Sequence, residues 1–300
     1  TLVRDDDELR GFYLNHNAVQ GGDLDEYFVE RFIDHGRHVE TQCGRDSHGN
    51  FTVYSTRDCS VQRRNQKLIE EAPAPFLAAE TVRELERAAV AICSRAHYES
   101  AGTVGFLVDD GTMSFMEVNT HIQVEHPVTE AVTGVDLVAA QLAIAEGAPV
   151  EAVPGLESGV TPEPRGGMRW IPHQRRRPLT RLRAVPRRRR KPAGAHRPRH
   201  PLRFGRRGRR LHLKPLRFDD RRAHRQGLHA RRCLRRAERA LAELHIHGVP
   251  TVVPFDKAVL ESADFGAGAD WRADDDVSNA NFRVYTRWIE EELLPNLPSE

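Results

Sequence analysis

The feature that most constrains this fold is a break in charge along the chain. Of its 45 Lys and Arg, 28 fall between residues 165 and 236, opposed there only by Asp219 and Asp220. The other 228 residues hold 17 basic and 41 acidic side chains, a net charge of −24. The overall charge of +2 hides both compositions. Residues 165–236 are rich in Arg, Pro, His and Gly, include the run Arg187-Arg-Arg-Arg-Lys191, and carry no usable apolar period. A packed core must therefore come from residues 1–164 and from about Ala237 onward.

Those two stretches show ordinary patterning. A helical piece opens the chain, followed by a loop at Gly21-Gly22-Asp23 and a strand over Tyr27–Ile33. Val39–Cys43 and Phe51–Ser55 alternate around the polar turn Arg45–Asn50, which predicts a hairpin. Val82, Leu85, Ala89, Ile92 and Cys93 form the apolar stripe of a helix over Ala78–Ala96. Thr103–Val108 and Thr112–Val118 read as strands joined by Asp109-Asp-Gly111. A single helix is expected over Val128–Glu146, stopped by Gly147. Later, Glu238–Leu244 reads as helix, Gly248–Phe255 as an apolar turn and Phe282–Leu294 as a closing amphipathic segment.

Several function classes recede. No apolar run reaches the roughly 18 residues of a membrane span. Thr1–Glu8 has no apolar signal-peptide segment. Cys43, Cys59, Cys93 and Cys233 have no CxxC spacing, and the fifteen His form no HExxH. A reduced, cytoplasmic protein with free thiols is expected.

Glu117 and Asn119 lie two apart on a strand, so both side chains point to one face. A carboxylate and an amide there suit Mg²⁺ or Mn²⁺ held against nucleotide phosphates; an exposed polar strand face is the plainer alternative. Taken alone, Glu125 reads as a surface acid and Arg63-Arg64 as a solvated turn.

Two longer blocks carry more. One is Arg57-Asp-Cys-Ser-Val-Gln-Arg-Arg-Asn-Gln-Lys67 with Glu70-Glu-Ala-Pro-Ala-Pro75; the other is Phe115-Met-Glu-Val-Asn-Thr-His-Ile-Gln-Val-Glu-His-Pro-Val-Thr-Glu130. A solvated charged surface requires no such fixed order. Together the blocks resemble the signature of biotin carboxylase, the ATP-grasp subunit or domain of biotin-dependent carboxylases. The resemblance implies an α/β (α+β) ATP-grasp fold with an incomplete C-terminal subdomain. It implies a lid remnant and hinge over 1–34, a core over 35–164 and a C-terminal remnant over 237–300. It also implies ATP-dependent carboxylation of carrier-bound biotin by bicarbonate, within an acetyl- or propionyl-CoA carboxylase or a related enzyme.

Residue roles follow from the resemblance. Glu125 is the base toward bicarbonate, and Lys67 and Gln62 lie near bicarbonate and phosphate. Gln123 and Val124 cradle bicarbonate. Glu117 binds metal with Asn119 beside it as a catalytic residue, and Glu30 contacts adenine at a hinge. The implied cofactors are ATP, Mg²⁺ or Mn²⁺, bicarbonate as substrate, and biotin on a carrier protein. The implied partners are that carrier, a carboxyltransferase subunit and a second copy in a homodimer, with no membrane and no specific nucleic acid.

The chain also departs from the family. Gly105 stands where a second metal-binding Glu is usual, His121 where an Arg aids biotin carboxylation, and Asn65 where His is common. The N-terminal domain and the Gly-rich phosphate-covering loop would precede Thr1, so the chain is expected to be a fragment. Little or no activity is expected of it, which leaves room for a non-catalytic role in a carboxylase complex.

The Arg-rich segment admits a nucleic-acid arm or a polar tail, but a shift of reading frame accounts for it better. Pro172-His-Gln-Arg-Arg-Arg-Pro178 can be encoded so that reading one base later gives Arg-Ile-Asn-Ala-Glu-Asp-Pro. The same shift permits Asp-Phe-Ala-Pro-Ser-Pro-Gly from Arg181–Arg188 and Pro-Tyr-Asp-Ser-Met-Ile from Pro215–Arg221. All three resemble family segments, in order, so residues 165–236 are expected to be foreign to the fold and disordered. The acidic remainder resembles proteins that stay hydrated in concentrated salt.

Overall fold

The computed structural model describes residues 2–19, 28–64, 66–164, 168–171, 204–207, 210–213, 216–219, 226–245, 251–265 and 282–297. The chain divides into two compact units, Thr1–Asp34 and His35–Glu300. The first holds helix α1, Asp6–Val19. Asp5 Oδ1 accepts from the backbone N–H of Asp7 and Glu8, and Asp6, Asp7 and Glu8 suit the positive end of the helix dipole. The strand expected over Tyr27–Ile33 does not form in its described part, Phe28–Ile33. A strand needs a partner, and none lies in the described residues of this unit; Phe28, Val29 and Phe32 stay exposed. The Gly21-Gly22-Asp23 loop falls outside the described residues.

The second unit is built on a seven-stranded antiparallel sheet. Its strands are β1 (Arg37–Arg45), β2 (Phe51–Arg63), β3 (Gln66–Ala72), β4 (Ser100–Asp109), β5 (Thr112–Asn119), β6 (Met168–Ile171) and β9 (Leu216–Asp219). Their spatial order is β5-β4-β1-β2-β3-β6-β9. The expected β1–β2 hairpin forms and runs longer than its apolar alternation. Asp46 closes its turn, Oδ1 accepting from the His48 and Asn50 amides. The β4–β5 connection also forms as expected, with Asp110 and Gly111 at φ 43° and 75°, the left-handed pair of a two-residue hairpin turn.

Alternation on β1 separates core from site. Val39 and Cys43 turn toward α2 (Ala79–Arg95), where Leu85, Ala89 and Cys93 meet them together with Val104 and Phe106. His38, Glu40 and Gln42 turn to the other face. Of the expected α2 stripe, Val82 and Ile92 are only half-buried, and Thr81 takes a buried position.

The helix expected over Val128–Glu146 is two helices, α3 (His126–Thr133) and α4 (Leu137–Ala145), bent by 98°. Gly134 ends α3 at φ 79°, a left-handed cap that costs Gly little. Asp136 caps α4 through a bond from the Ala139 amide, and Glu130 Oε1 accepts from the Leu137 amide. The apolar residues continue through the break, which concealed it.

Regular structure also occurs within 165–236. Strand β6 pairs with β3, β9 pairs with β6, and β7 (Phe204–Arg207) pairs with β8 (Arg210–Leu213). These short stretches and the start of a helix are the described parts of the segment expected to be disordered; the rest lies outside the described residues. Helix α5 (Gln226–Glu243) starts well before the expected Glu238. Its Ala237, Ala240 and Leu241 join Leu244 against Val61, Leu68, Ile69 and Trp288. The end of the expected Gly248–Phe255 turn is helical instead, opening α6 (Val253–Glu261), with Pro254 in the first turn where its missing N–H is harmless. A closing segment buries Val284, Trp288, Ile289 and Leu293. Among the described residues, no single helix is long and apolar enough to cross a membrane.

Candidate active site

The sheet face opposite α2 carries a buried, charge-balanced cluster. Arg57, fully buried on β2, donates five side-chain hydrogen bonds. Its Nε reaches Glu40 Oε1 at 2.7 Å, and Nη1 reaches Gln42 Oε1 at 2.7 Å and Thr129 Oγ1 at 2.9 Å. Nη2 reaches Gln123 Oε1 at 2.9 Å and Thr103 Oγ1 at 3.3 Å. The opposed register of Glu40 and Arg57 puts both on one face. Arg57 thereby ties β1, β2 and β4 to α3 and to the loop before it.

Lys67 on β3 completes the cluster. Its Nζ lies 2.7 Å from Glu40 Oε2 and 2.5 Å from Glu125 Oε1. Glu125 is held by its place at the N-terminus of α3, where its carbonyl accepts from the Val128 amide. Two cations and two carboxylates thus share the face without excess charge.

The environment sets each protonation state. Burial opposes ionisation of Glu40, but Arg57 and Lys67 outweigh it and hold its carboxyl well below the usual range. Burial likewise opposes the Lys67 charge, and Cys59, Glu40 and Glu125 overturn that and hold the ammonium above its ordinary range. Glu70, fully buried on β3, is pushed well above the carboxylate range, first by burial and then by the Glu125 charge. Burial therefore favours its protonated form beside charged neighbours.

The expected site residues separate into groups. Lys67, Glu125 and Gln123 converge through Arg57 and Glu40. Gln62 is buried on β2 opposite Lys67, while Val124, beside Glu125, is 74% exposed. Glu117 and Asn119 share one face at the end of β5, Asn119 Nδ2 donating to Glu117 Oε1 at 2.9 Å. Glu30 lies in the first unit and is exposed. His121 is exposed, and Asn65 falls outside the described residues. Arg57, Glu40, Thr129 and Glu70 were missed by sequence reasoning. Only the fixed place of Arg57 at the head of its block hinted at a role.

A dedicated hard-cation site does not fit the donors present. Gly105 lies opposite Glu117 in the β4–β5 ladder and offers no ligand, so one carboxylate and one amide remain. The nearest buried polar atom without a hydrogen-bond partner is a nitrogen, His38 Nε2. Mg²⁺ prefers an all-oxygen shell. Glu40, Cys59 and Glu125 also converge, with ligand atoms within 4.8 Å of one another, but Lys67 Nζ already bridges the two carboxylates.

Comparison with known proteins accords with this geometry. The sequence model of the carbamoyl-phosphate synthase L chain, ATP binding domain, matches residues 1–153. The chain belongs to that family. The biotin-dependent acyl-coenzyme A carboxylase alpha3 subunit of Mycobacterium leprae is 40% identical over 286 residues, 89% of this chain and 42% of that protein. The human mitochondrial propionyl-CoA carboxylase alpha chain is 50% identical over 153 residues, 50% of this chain and 21% of that protein. The chain thus spans less than half the length of these relatives. The Nostoc biotin carboxylase is 46% identical over 149 residues, covering 49% of this chain and 33% of that protein.

The fold agrees. A biotin carboxylase domain of a single-chain bacterial carboxylase superposes with a TM-score of 0.70 at 27% identity, covering 96% of this chain and 71% of that one. The Campylobacter jejuni biotin carboxylase in its beta-gamma-ATP complex gives a TM-score of 0.72 at 26% identity, covering 97% and 61%. The resemblance to biotin carboxylase and the ATP-grasp fold it implied are both borne out.

Proposed function

We propose that this chain derives from an ATP-dependent biotin carboxylase and retains the bicarbonate-activating part of its site. The Lys67–Glu125 contact over the Arg57–Glu40 pair carries the reading. Glu125 takes the bicarbonate proton, and a bicarbonate oxygen then attacks the γ-phosphorus of ATP. The bond from that phosphorus to the ADP oxygen breaks, giving carboxyphosphate and ADP. Lys67 faces the anionic phosphoryl and carboxylate oxygens as a compact, permanently charged donor. The C–O bond of carboxyphosphate then breaks to give carbon dioxide and inorganic phosphate, the phosphate takes the ureido N–H proton of biotin, and that nitrogen bonds to the carbon of carbon dioxide. The Arg57 bonds to Gln123 and Thr129 fix the Glu125 loop, so Arg57 is a positioning residue. No step is assigned to a metal ion. With this reading go biotin on a carrier protein or domain, a carboxyltransferase partner, a homodimer and a cytoplasmic setting.

Activity is proposed to be low. Gly105 supplies no ligand, and exposed His121 is a poor substitute for a fixed bidentate cation. The frame shift across 165–236 belongs to the same proposal. The family match stops at residue 153, and the human and Nostoc relatives align over only half of the chain, whereas the Mycobacterium leprae subunit aligns over 89% of it at 40% identity.

Oxygen-labelled bicarbonate tests the chemistry. The expected result is transfer of one labelled oxygen into inorganic phosphate during slow ATP turnover. Turnover without label transfer contradicts it, as does ATP hydrolysis indifferent to bicarbonate.

A further inference from the structure

Behind the active-site face, two thiols that the proposed chemistry does not use lie against each other. Cys43 on β1 and Cys93 in the last turn of α2 are buried in the core between sheet and helix. Their Sγ atoms are 4.0 Å apart, although the residues are 50 apart in sequence. Strand alternation turns Cys43 away from Glu40 and Gln42, and its Sγ lies 3.4 Å from the Gly102 carbonyl of β4. The contact with Cys43 and the charge of Arg45 hold the Cys93 thiol below its ordinary range against burial. The same contact and burial push Cys43 up, so Cys93 is the readier nucleophile. The turn 96–100 closes this end of α2. Tyr98 packs on the cluster, its amide donating to the Cys93 carbonyl and its carbonyl accepting from Arg45 Nη1. His97 and Ser100 there hold φ at 51° and 117°, a cost for residues with side chains that opening of the turn relieves.

We propose that Cys43 and Cys93 form a reversible modification site, oxidised to an internal disulfide by a hydroperoxide. The Cys93 sulfur attacks one peroxide oxygen. An S–O bond forms, the O–O bond breaks, and the thiol proton goes to the departing oxygen, which leaves as water or as an alcohol. Cys43 then attacks the sulfur of the Cys93 sulfenic acid. The S–S bond forms, the S–O bond breaks, and the hydroxide leaves with the Cys43 proton as water. The two thiols lose two electrons in all, and one hydroperoxide is reduced. A dithiol reductant reverses the bond by exchange. Closing the 4.0 Å gap to bonding distance, about 2 Å, takes rotation of both side chains and a small movement of α2 toward β1. The bond ties α2 to the strand that presents Glu40 and Gln42 on its other face. The site does not depend on the proposed function.

The test treats the full 300-residue chain, folded, with a small excess of hydrogen peroxide, alkylates the remaining thiols in denaturant and weighs the tryptic peptides. The expected product is His38–Arg45 joined to Ala88–Arg95, appearing before any link through Cys59 or Cys233 and released by dithiothreitol. Cys59, pushed well above the usual thiol range by burial and Glu40, should react later. Cys43→Ser should stop Cys93 at the sulfenic acid. Dimedone should then label Cys93 about tenfold or more above its labelling of Cys43 in Cys93→Ser. Absence of the linked pair overturns the proposal. So does a first link through Cys59 or Cys233, or a pair that forms only in urea. Equal dimedone labelling of the two variants overturns the assignment of Cys93 as the attacking thiol. Circular dichroism checks folding; if a Ser variant does not fold, the linked pair in the parent chain, which needs no substitution, decides alone.

Discussion

Lys67 Nζ bridges Glu40 Oε2 at 2.7 Å and Glu125 Oε1 at 2.5 Å, joining a structural carboxylate to the proposed base through one cation. Substitution at the two ends should therefore behave differently. Glu125→Gln keeps the shape of α3's N-terminus and removes the base. Bicarbonate-dependent ATP turnover should fall about 100-fold or more while the unfolding midpoint stays close to that of the parent. A variant that unfolds but keeps its residual rate would reverse these roles.

Arg57→Ala is a stability prediction first. It removes one of the two cations on fully buried Glu40, leaving Lys67 as the other, and takes their guanidinium donor from Gln42, Thr129 and Gln123. Breaking a buried ion pair from one side costs about 3–5 kcal/mol. Urea unfolding should show a loss of that order. A loss below about 1 kcal/mol would mean that the cluster does not hold β1, β2 and α3 together.

Glu40 and Glu70 predict opposite responses to pH. Glu40 titrates lower folded than unfolded, so its contribution is complete above the unfolded pKa of about 4.3 and is lost as pH falls toward the folded value. Glu70 titrates higher folded than unfolded. Its folded form keeps a proton that the unfolded chain releases, so stability declines as pH rises above about 4.3. Glu70→Gln should flatten that decline. An unchanged slope in the Gln variant would show that Glu70 is ionised in the fold.

The sequence disclosed what depends on neighbouring residues. Asp110-Gly111 specified the β4–β5 turn, and the alternation around Arg45–Asn50 specified the β1–β2 hairpin. It failed where tertiary contact decides. Val135 and Leu137 continue an apolar run across a 98° bend that Gly134 and Asp136 impose. Phe28–Ile33 has strand-forming residues but no described partner in its unit. Lys67 and Glu125 were singled out only through the order of residues around them. Glu40 was not singled out, because its significance comes from Arg57 and Lys67 on other strands.

The α3–α4 break gives a local test. Gly134→Ala forces a Cβ into a left-handed backbone and should cost about 1 kcal/mol. Asp136→Ala removes the α4 cap and should cost a similar amount, about 1 kcal/mol. Thermal unfolding of both variants checks this; no loss in either would mean that the bend is held by packing alone.

The acidic remainder makes stability depend on salt. With 41 acids against 17 bases outside residues 165–236, screening should relieve self-repulsion. The unfolding temperature should rise between about 0.1 M and about 1 M KCl. A flat or falling trend contradicts the salt-adapted reading.

Bicarbonate-dependent ATP hydrolysis by the full chain with free biotin, measured beside Lys67→Met and Gly105→Glu, tests the central claim most directly. The account predicts a slow rate that requires bicarbonate, disappears in Lys67→Met and rises at least tenfold in Gly105→Glu. A fast parental rate, or one that persists without Lys67, would contradict it.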